Sequence, residues 1–231
     1  MALIEYRKLT KLYKNVPALN GIDLDIPAGR IVGLLGPNGS GKTTLIKLTV
    51  GLLTPTAGTV MIDGFAPGPQ TKAITAYLPE RSYMSECMTV SAFVSYFADF
   101  YSDFDKNKAY EMLSRLGIDP KRTLKTLSKG TKEKVQLVLV MSRAAKVYFL
   151  DEPIAGVDPA ARDYILNTII RNYSENASVV ISTHLISEIE NVLDDAVFLR
   201  NGQVILADSA DNIREKSGKS VDMLFREVFR C

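Results

Sequence analysis

The sequence Gly-Pro-Asn-Gly-Ser-Gly-Lys-Thr at residues 36–43 matches the phosphate-loop pattern G-x-x-x-x-G-K-[ST]. An apolar run suited to a buried strand, residues 31–35, precedes it, and a helical pattern begins near Lys42. In such a loop, glycines let backbone N–H groups surround phosphate oxygens at the positive end of a helix. Lys42 can then reach the β- and γ-phosphates, and the Thr43 hydroxyl is the expected Mg²⁺ ligand. A plain glycine-rich turn is the alternative, but strand, spacing, lysine and threonine all favour a phosphate site.

The same succession of an apolar strand and a helical pattern recurs at residues 147–150 and 179–181. It predicts βαβ units and a largely parallel sheet. Residues 147–150 form an unbroken apolar run, so this strand is expected to be central and covered on both faces. Residues 3–26 alternate and contain turn residues, which predicts an antiparallel β subdomain at the N-terminus. Asp63-Gly64 and Asn201-Gly202 are candidate hairpin turns.

A helical subdomain is expected at about residues 85–144, inserted into a single α/β domain that spans residues 1–231. Strand patterns stop there, and apolar residues recur at helical spacing over residues 90–101, 106–117 and 131–144. The last of these helices is expected to begin near Lys132. The C-terminal tail, at about residues 209–229, is expected to form two short helices separated by Gly218.

Composition restricts the classes of function that remain. The chain has 231 residues, of which 46% are hydrophobic and 23% are charged, as in folded globular proteins. The formal net charge of +2 disfavours a protein held mainly on nucleic-acid phosphates. Two distant cysteines and no secretory leader indicate a reducing compartment. No apolar run approaches the roughly 20 residues that cross a bilayer, so membrane association is expected to come through a partner.

Three polar side chains are expected at the carboxyl edge of the sheet, where open α/β folds bind ligands. Asp151 and Glu152 end the buried strand, and His184 follows the strand at residues 179–182. Asp151 is suited to Mg²⁺, and Glu152 to activating the attacking water. His184 is expected to contact the γ-phosphate or to orient the water and Glu152. An acidic strand end at a solvated turn, and an ordinary surface histidine, are the simpler alternatives.

A second helix N-terminus suited to anions follows residues 127–131, Leu-Ser-Lys-Gly-Thr. Ser128 is a candidate N-cap, and ordinary capping is the alternative to a binding role.

Together, the phosphate loop, residues 127–131, Leu150-Asp151-Glu152-Pro153, Ala155-Gly156-Val157-Asp158 and His184 resemble the ATP-binding cassette family over essentially the whole chain. The resemblance implies a P-loop NTPase (RecA-like) core that hydrolyses ATP with Mg²⁺. It also implies a head-to-tail dimer, in which Ser128 and Gly130 of one subunit close on the γ-phosphate held by the other. Asp158 would lie at the dimer interface, although a plain N-cap before Pro159 explains this residue equally well. Tyr13 would stack on adenine; the alternative is that its ring packs on the edge sheet. The implied nucleotide-binding residues are Tyr13, Gly36, Pro37, Asn38, Gly39, Ser40, Gly41, Lys42, Thr43, Thr44, Ser128, Gly130 and Asp158; the implied metal ligands are Thr43, Glu80 and Asp151; and the implied catalytic residues are Glu152, His184 and Lys42.

Three positions depart from the usual motifs of this family. Lys129 replaces the first glycine of the signature Leu-Ser-Gly-Gly-Gln, and Thr131 replaces its glutamine. Glu80 stands where the family has a lid glutamine, so an oxygen for Mg²⁺ is kept while the amide donor is lost. These variants look like those of bacterial exporter ATPases for drugs and peptide antibiotics.

The resemblance therefore predicts the ATPase subunit of a transporter, with export favoured. The expected partners are a second nucleotide-binding subunit, identical or related, and integral membrane permease subunits; no nucleic acid is expected. The expected location is cytoplasmic, peripheral on the inner face of the cell membrane. An importer ATPase is one alternative. A non-transport ATPase of this family is another, disfavoured because residues 42–127 leave no room for a long coiled coil.

An aromatic stripe recurs at helical spacing within the helical segment and has two interpretations. It is typical of a helix that packs into a core. It could also line a groove between the lid and the insertion that receives a short helix of a membrane subunit, with Tyr83 and Met84 at the rim. The stripe consists of Phe93, Phe97, Phe100, Tyr101 and Phe104.

Overall fold

The computed structural model describes residues 2–154, 159–173 and 176–229. Within these ranges, strands and helices alternate along most of the chain. The strands are β1 (Ala2–Tyr13), β2 (Val16–Pro27), β3 (Ile31–Leu35), β4 (Ala57–Ile62), β5 (Thr75–Leu78), β6 (Val147–Asp151), β7 (Ser178–Thr183), β8 (Asp195–Arg200) and β9 (Gln203–Ser209). The α-helices are α1 (Lys42–Thr49), α2 (Pro69–Ala73), α3 (Val90–Phe100), α4 (Lys106–Arg115), α5 (Lys129–Met141), α6 (Pro159–Asn172), α7 (Ile186–Ile189), α8 (Ala210–Ser217) and α9 (Val221–Phe229).

The central sheet has the strand order β5-β6-β7-β3-β8-β9 and is parallel except for β9. Strands β3, β6 and β7 lie inside it and are buried along their whole lengths. Successive residues of β6 enter different cores: Tyr148 and Leu150 pack with the helical subdomain, whereas Val147 and Phe149 pack with α1 and the second sheet. The predicted mostly parallel α/β core is confirmed.

The second sheet is antiparallel, with the order β2-β1-β4, and it covers α1 on one side of the central sheet. The predicted N-terminal antiparallel subdomain is therefore confirmed, and β4 is an additional strand of it. Tyr6 of β1 is buried and its hydroxyl lies 3.0 Å from the Thr49 hydroxyl of α1. This contact fastens the second sheet to the helix that follows the phosphate loop.

The two proposed turns differ in what they join. Asn201 and Gly202 both have positive φ, 50° and 73°, and connect β8 to β9 as a two-residue hairpin. Asp63 and Gly64 have the same backbone signature, with φ of 52° and 80°. This second turn leads only to an isolated bridge between Ile62 and Phe65 rather than to another strand.

Three helices, α3, α4 and α5, form the helical subdomain. Each begins at a side-chain N-cap: Thr89, Asp105 and Ser128 accept hydrogen bonds from backbone N–H groups in the first turn. Helix α5 begins at Lys129, so the expected start near Lys132 is wrong. Because the Ser128 cap starts the helix one residue after itself, Lys129 and Gly130 belong to its first turn.

Arg143 joins this subdomain to the central sheet. Its guanidinium is buried and pairs with both carboxylate oxygens of Asp103, at 2.9 and 3.0 Å. It also donates to the carbonyls of Thr75 (2.5 Å) and Ala73 (2.7 Å), at the start of β5 and the end of α2. The guanidinium carbon lies 3.9 Å from the Tyr101 ring centroid. The Arg143 side chain thus connects Asp103, the end of α2 and the start of β5.

The C-terminal helices pack against the far edge of the central sheet. Phe225 and Phe229 of α9 contact each other and Phe198 of β8, with ring centroids 4.2–6.1 Å apart. Across the described ranges, every helix is too short or too polar to span a bilayer.

Candidate functional site

The phosphate loop connects β3 to α1 and is shaped by its glycines. Gly39 and Gly41 have φ of 80° and 110°, a region that other residues rarely adopt. A Cβ on Gly41 would lie 2.6 Å from the Ala18 carbonyl oxygen, so only glycine fits. The loop is also held from outside: the Gly202 N–H of the β8–β9 hairpin donates to the Ser40 carbonyl (2.9 Å). The first turn of α1 follows at once, which presents helix N–H groups to the loop.

Lys42, the first residue of α1, is buried against the loop. Its ammonium donates to the carbonyls of Gly36 (2.7 Å) and Pro37 (3.3 Å) and lies 3.5 Å from Glu152 Oε1. Burial lowers the Lys42 pKa, and the negative charge of Glu152 opposes that shift. The cation is therefore held by oxygen atoms at the place where the family resemblance puts the β- and γ-phosphates.

Asp151 ends β6 beside Thr43. Its Oδ1 accepts hydrogen bonds from the hydroxyls of Thr43 (3.1 Å) and Ser182 (2.5 Å). Its Oδ2 is buried and has no hydrogen-bond partner among the residues that the structure describes. Burial raises the Asp151 pKa, and the two hydroxyl hydrogen bonds oppose this shift.

These donors fit Mg²⁺, which prefers carboxylate and hydroxyl oxygens and keeps water or substrate phosphates as its other ligands. The unpartnered Oδ2 of Asp151 is such an oxygen, and Thr43 brings a hydroxyl next to the same carboxylate. In the described part of the chain, however, no group of three or more acidic, histidine or cysteine side chains is arranged to hold a metal by itself. The protein would accordingly supply only part of the coordination.

Glu152 lies between the phosphate-loop lysine and His184. His184 Nδ1 is 3.1 Å from each carboxylate oxygen of Glu152. The backbone of Glu152 has a φ of 51°, unusual for a residue with a side chain. Its N–H donates to the backbone carbonyl (2.9 Å) and the hydroxyl (3.2 Å) of Ser182. The structure thus places Lys42, Glu152 and His184 in one chain of contacts.

Glu80 lines a groove of about 1050 Å³, together with Thr43 and Asp151. It follows β5 and is exposed. Its negative charge opposes the lowering of the Lys42 pKa by burial and adds to the rise of the Asp151 pKa. Glu80 is therefore near enough to act on both groups electrostatically.

The aromatic stripe divides between core and groove. Phe93 and Phe97 are buried in the helical subdomain, as the core interpretation predicts. Phe100 is 68% exposed, and the neighbouring Tyr96 and Tyr83 are about half exposed. These three side chains line the outer part of the same groove. The core interpretation is therefore confirmed for Phe93 and Phe97, Met84 is buried rather than at the rim, and a docking role for the groove stays a prediction.

Ser128 lies on the surface at the N-terminus of α5. Its hydroxyl accepts from the Thr131 N–H (3.2 Å) and lies 2.8 Å from the Thr131 hydroxyl, so the capping role is observed. Gly130 has open space where a Cβ would be. Lys129 is 85% exposed and 3.9 Å from Glu133. As far as the chain is described, none of the Ser128 contacts reaches the phosphate loop of the same chain.

Tyr13 and Asp158 are the two remaining candidate site residues, and only Tyr13 lies within the described part of the chain. Tyr13 ends β1 with 48% of its surface exposed, and the Lys11 ammonium lies 5.6 Å from its ring centroid. Its ring is therefore accessible rather than packed in the edge sheet. Asp158 and the segment Ala155-Gly156-Val157 lie outside the described residues.

Ser182 was not found from the sequence: its hydroxyl donates to Asp151 Oδ1 and accepts from the backbone N–H of Glu152. A polar residue at the end of the apolar strand at residues 179–181 was the available signal. Its meaning depended on the β6–β7 register, which places Asp151 beside Ser182.

A strand–phosphate loop–helix unit with Asp151 and Glu152 on the neighbouring rim defines a phosphate-loop ATPase. The family model for ABC transporters matches residues 19–155, more than half of the chain, so the chain belongs to the ABC transporter family. It is an ATP-binding subunit and an ATPase. Proteins of this family bind ATP, generally need Mg²⁺ for hydrolysis, and generally dimerise and work with membrane permeases.

Individual relatives agree with this assignment. The chain is 30% identical over 243 residues to the ABC-type transporter ATP-binding protein EcsA of Bacillus subtilis (strain 168), covering 99% of this chain and 97% of the relative. It is 29% identical to the SkfA peptide export ATP-binding protein SkfE of the same organism, covering 89% of this chain and 88% of the relative. A solved structure of an ATP-binding subunit of an ABC transporter superimposes with a TM-score of 0.89 at 30% identity, covering 98% of this chain and 99% of that chain.

Proposed function

We propose that this ATPase binds MgATP at the interface of a head-to-tail dimer and drives export through separate membrane subunits. The observation that carries the proposal is the meeting of Lys42, Asp151 and Glu152 at one rim, with a buried Asp151 oxygen that lacks a partner among the described residues. Such a site supplies positioning and charge stabilisation, which phosphoryl transfer to water needs more than covalent chemistry.

Each rim residue has a role that its contacts support. The loop N–H groups bind the phosphates, and Lys42 exchanges its carbonyl partners for β- and γ-phosphate oxygens. Thr43, Asp151 and Glu80 would hold Mg²⁺, which would supply charge neutralisation on the phosphate oxygens. Glu152 accepts the proton of the attacking water, and His184 keeps the Glu152 carboxylate directed towards the phosphate.

The dimer completes the site. Ser128 and Gly130 are proposed to bind the γ-phosphate held by the partner subunit, Tyr13 to stack on the adenine, and Asp158 to lie at the interface. The exposed position of Ser128 at the start of a thirteen-residue helix supports this arrangement. Lys129, exposed beside it, brings a positive charge to the same end of α5.

Glu152→Gln tests the assignment of the proton acceptor. The change keeps the size of the side chain and removes the proton-accepting charge, so kcat should fall by about 10²–10⁴-fold while MgATP still binds. Steady-state hydrolysis and equilibrium binding of a fluorescent ATP analogue measure the two effects. Glu188→Gln is the control, because Glu188 pairs with Arg162 on the surface. Hydrolysis at the parental rate in Glu152→Gln would remove Glu152 from this role.

Mixing two inactive variants tests the shared site. Lys42→Ala should be unable to bind ATP productively, and Ser128→Arg should block the surface that closes on a partner's nucleotide. In a mixed dimer, one site combines the intact phosphate loop of one subunit with the intact Ser128 of the other, so hydrolysis should return. Full activity of each variant alone as a monomer would contradict the proposal.

The groove is the proposed docking site for the membrane subunits at the cytoplasmic face of the membrane. Its apolar side chains Tyr83, Tyr96 and Phe100 are exposed in this chain and suit a short amphipathic helix. Phe100→Asp should abolish co-purification with an integral membrane protein while leaving basal ATP hydrolysis intact.

The support for export is the motif variants together with the relative named for peptide export. Stimulation of the purified complex by a solute-binding protein would contradict export.

A further inference from the structure

Ser182 occupies an unusual position in β7. It is the fully buried next-to-last residue of β7, and the residues directly before it are Val179, Val180 and Ile181. A buried hydroxyl in apolar surroundings costs free energy unless it forms hydrogen bonds. Ser182 forms them with both members of the neighbouring acidic pair, since its register partner across the ladder is Asp151.

The first consequence concerns the orientation of the Asp151 carboxylate. The Ser182 hydroxyl donates to Oδ1 at 2.5 Å, and the Thr43 hydroxyl donates to the same oxygen at 3.1 Å. Two donors on one oxygen fix the plane of a carboxylate, because rotation would break both bonds. The other oxygen, Oδ2, is then left pointing in a single direction, with no hydrogen-bond partner among the described side chains and backbone groups.

The second consequence concerns the backbone of Glu152. With φ at 51°, this residue is in the left-handed region, which is strained for a residue other than glycine. The Glu152 N–H is shared between the carbonyl and the hydroxyl of Ser182, at 2.9 and 3.2 Å. These bonds hold the residue in that conformation, and the side chain consequently lies between Lys42 and His184.

We propose that Ser182 is a positioning residue that sets Asp151 for Mg²⁺ and Glu152 for the attacking water. The inference rests on the proposed roles of those two carboxylates. Ser182 does not touch the substrate in this scheme; it acts through its hydroxyl on one neighbour's side chain and on the next residue's main chain. Alanine at this position would retain the carbonyl bond to Glu152 but lose both hydroxyl bonds.

The test is the Mg²⁺ dependence of nucleotide binding in Ser182→Ala. The affinity of a fluorescent ATP analogue is measured in EDTA and across a Mg²⁺ titration, and kcat is measured at saturating MgATP. Loss of a residue that orients a metal ligand typically weakens metal binding by about 10–100-fold. We expect the Mg²⁺ concentration for half-maximal binding to rise by about that factor and kcat to fall, with nucleotide affinity in EDTA unchanged.

Ser178→Ala is the matched control. Ser178 is also fully buried, on the same strand, and its hydroxyl donates to the Pro27 carbonyl (2.9 Å), far along the strand from the acidic pair. It should lose similar stability, measured by thermal unfolding, with no change in Mg²⁺ dependence. Ser182→Cys, close in size with a weaker donor, should shift the Mg²⁺ titration in the same direction as alanine and provides the readout if the alanine variant fails to fold.

The possible outcomes distinguish a failure of the proposed role of Ser182 from a failure of the proposed metal role of Asp151. If the parent protein binds nucleotide equally with and without Mg²⁺, the proposed metal role of Asp151 is wrong and the inference fails with it. If the parent needs Mg²⁺ but the Ser182 variants titrate like Ser178→Ala, only the inference is overturned. A shifted Mg²⁺ titration confined to the Ser182 variants supports both.

Discussion

Replacing Arg143 with methionine should cost more stability than any single surface change in this chain. Methionine keeps the length of the stem but removes the guanidinium, which pairs with Asp103, donates to the Ala73 and Thr75 carbonyls and stacks on Tyr101. Removing one member of a buried ion pair typically costs 3–5 kcal/mol, because the other member stays buried and unpaired.

The structure places the expected loss in the lower part of that range. The Asp103 side chain is 21% exposed, whereas that of Arg143 is 3% exposed, so water can partly solvate the remaining carboxylate. We expect a loss of about 3 kcal/mol, a large part of the 5–15 kcal/mol that stabilises a typical domain. Asp103→Asn leaves the more deeply buried Arg143 guanidinium without a counter-charge and replaces one of its two acceptor oxygens with a donor, so it should cost a similar amount, about 3 kcal/mol.

Equilibrium urea unfolding, followed by circular dichroism, measures these losses. Lys146→Met is the control: this nearby cation pairs with Asp63 at 2.7 Å, but both side chains are about half exposed. An exposed pair contributes at most about 1 kcal/mol, so the control should be near the parent. A loss for Arg143→Met no larger than that of Lys146→Met would refute the view that Arg143 joins the helical subdomain to the sheet.

Two further predictions concern the backbone and pH. Gly202→Ala should cost about 2–3 kcal/mol and weaken ATP binding, because positive φ is strained with a Cβ and that atom would lie 2.6 Å from the Ala18 carbonyl oxygen. Gly64→Ala, with the same sign of φ but open space around it, should cost only about 1 kcal/mol; equal losses by urea unfolding would contradict the clash. A hydrogen bond from Lys216 lowers the Asp208 pKa to about 2, so the stability that this carboxylate adds is present above its ordinary pKa and lost as pH falls through the folded value. The parent should therefore be more stable than Asp208→Asn at pH 7, with the difference shrinking as pH falls from 4 towards 2; a difference independent of pH in thermal unfolding would contradict this.

Much of the fold was predictable because its signals are local. The phosphate loop, the apolar strand before it and the unbroken run at residues 147–150 are each recognised from a few consecutive residues. Each of these patterns is typical of one kind of element in an α/β protein. The start of α5 was placed too late because residues 129–130 include a glycine, which is a poor helix former by itself. The Ser128 cap overrides that preference in the structure.

The missed parts of the site depend on contacts between distant segments. Ser182 acquires a role only when β6 and β7 pair in one register, and Arg143 only when α2, β5 and Asp103 surround it. No periodicity marks either residue. The proposed contribution of Ser128 needs a second subunit, so a single chain leaves it as a helix cap.

The turn at residues 201–202 has a consequence for engineering this protein. The tip of a two-residue hairpin is normally the place where added peptide does least harm. Here, however, the Gly202 main chain is bonded on one side to the Asn20 amide and on the other to the Ser40 carbonyl, both at 2.9 Å. An epitope tag or fluorescent fusion inserted at this point would break the bonds that join β2 and the phosphate loop to the hairpin, and it belongs elsewhere on the surface.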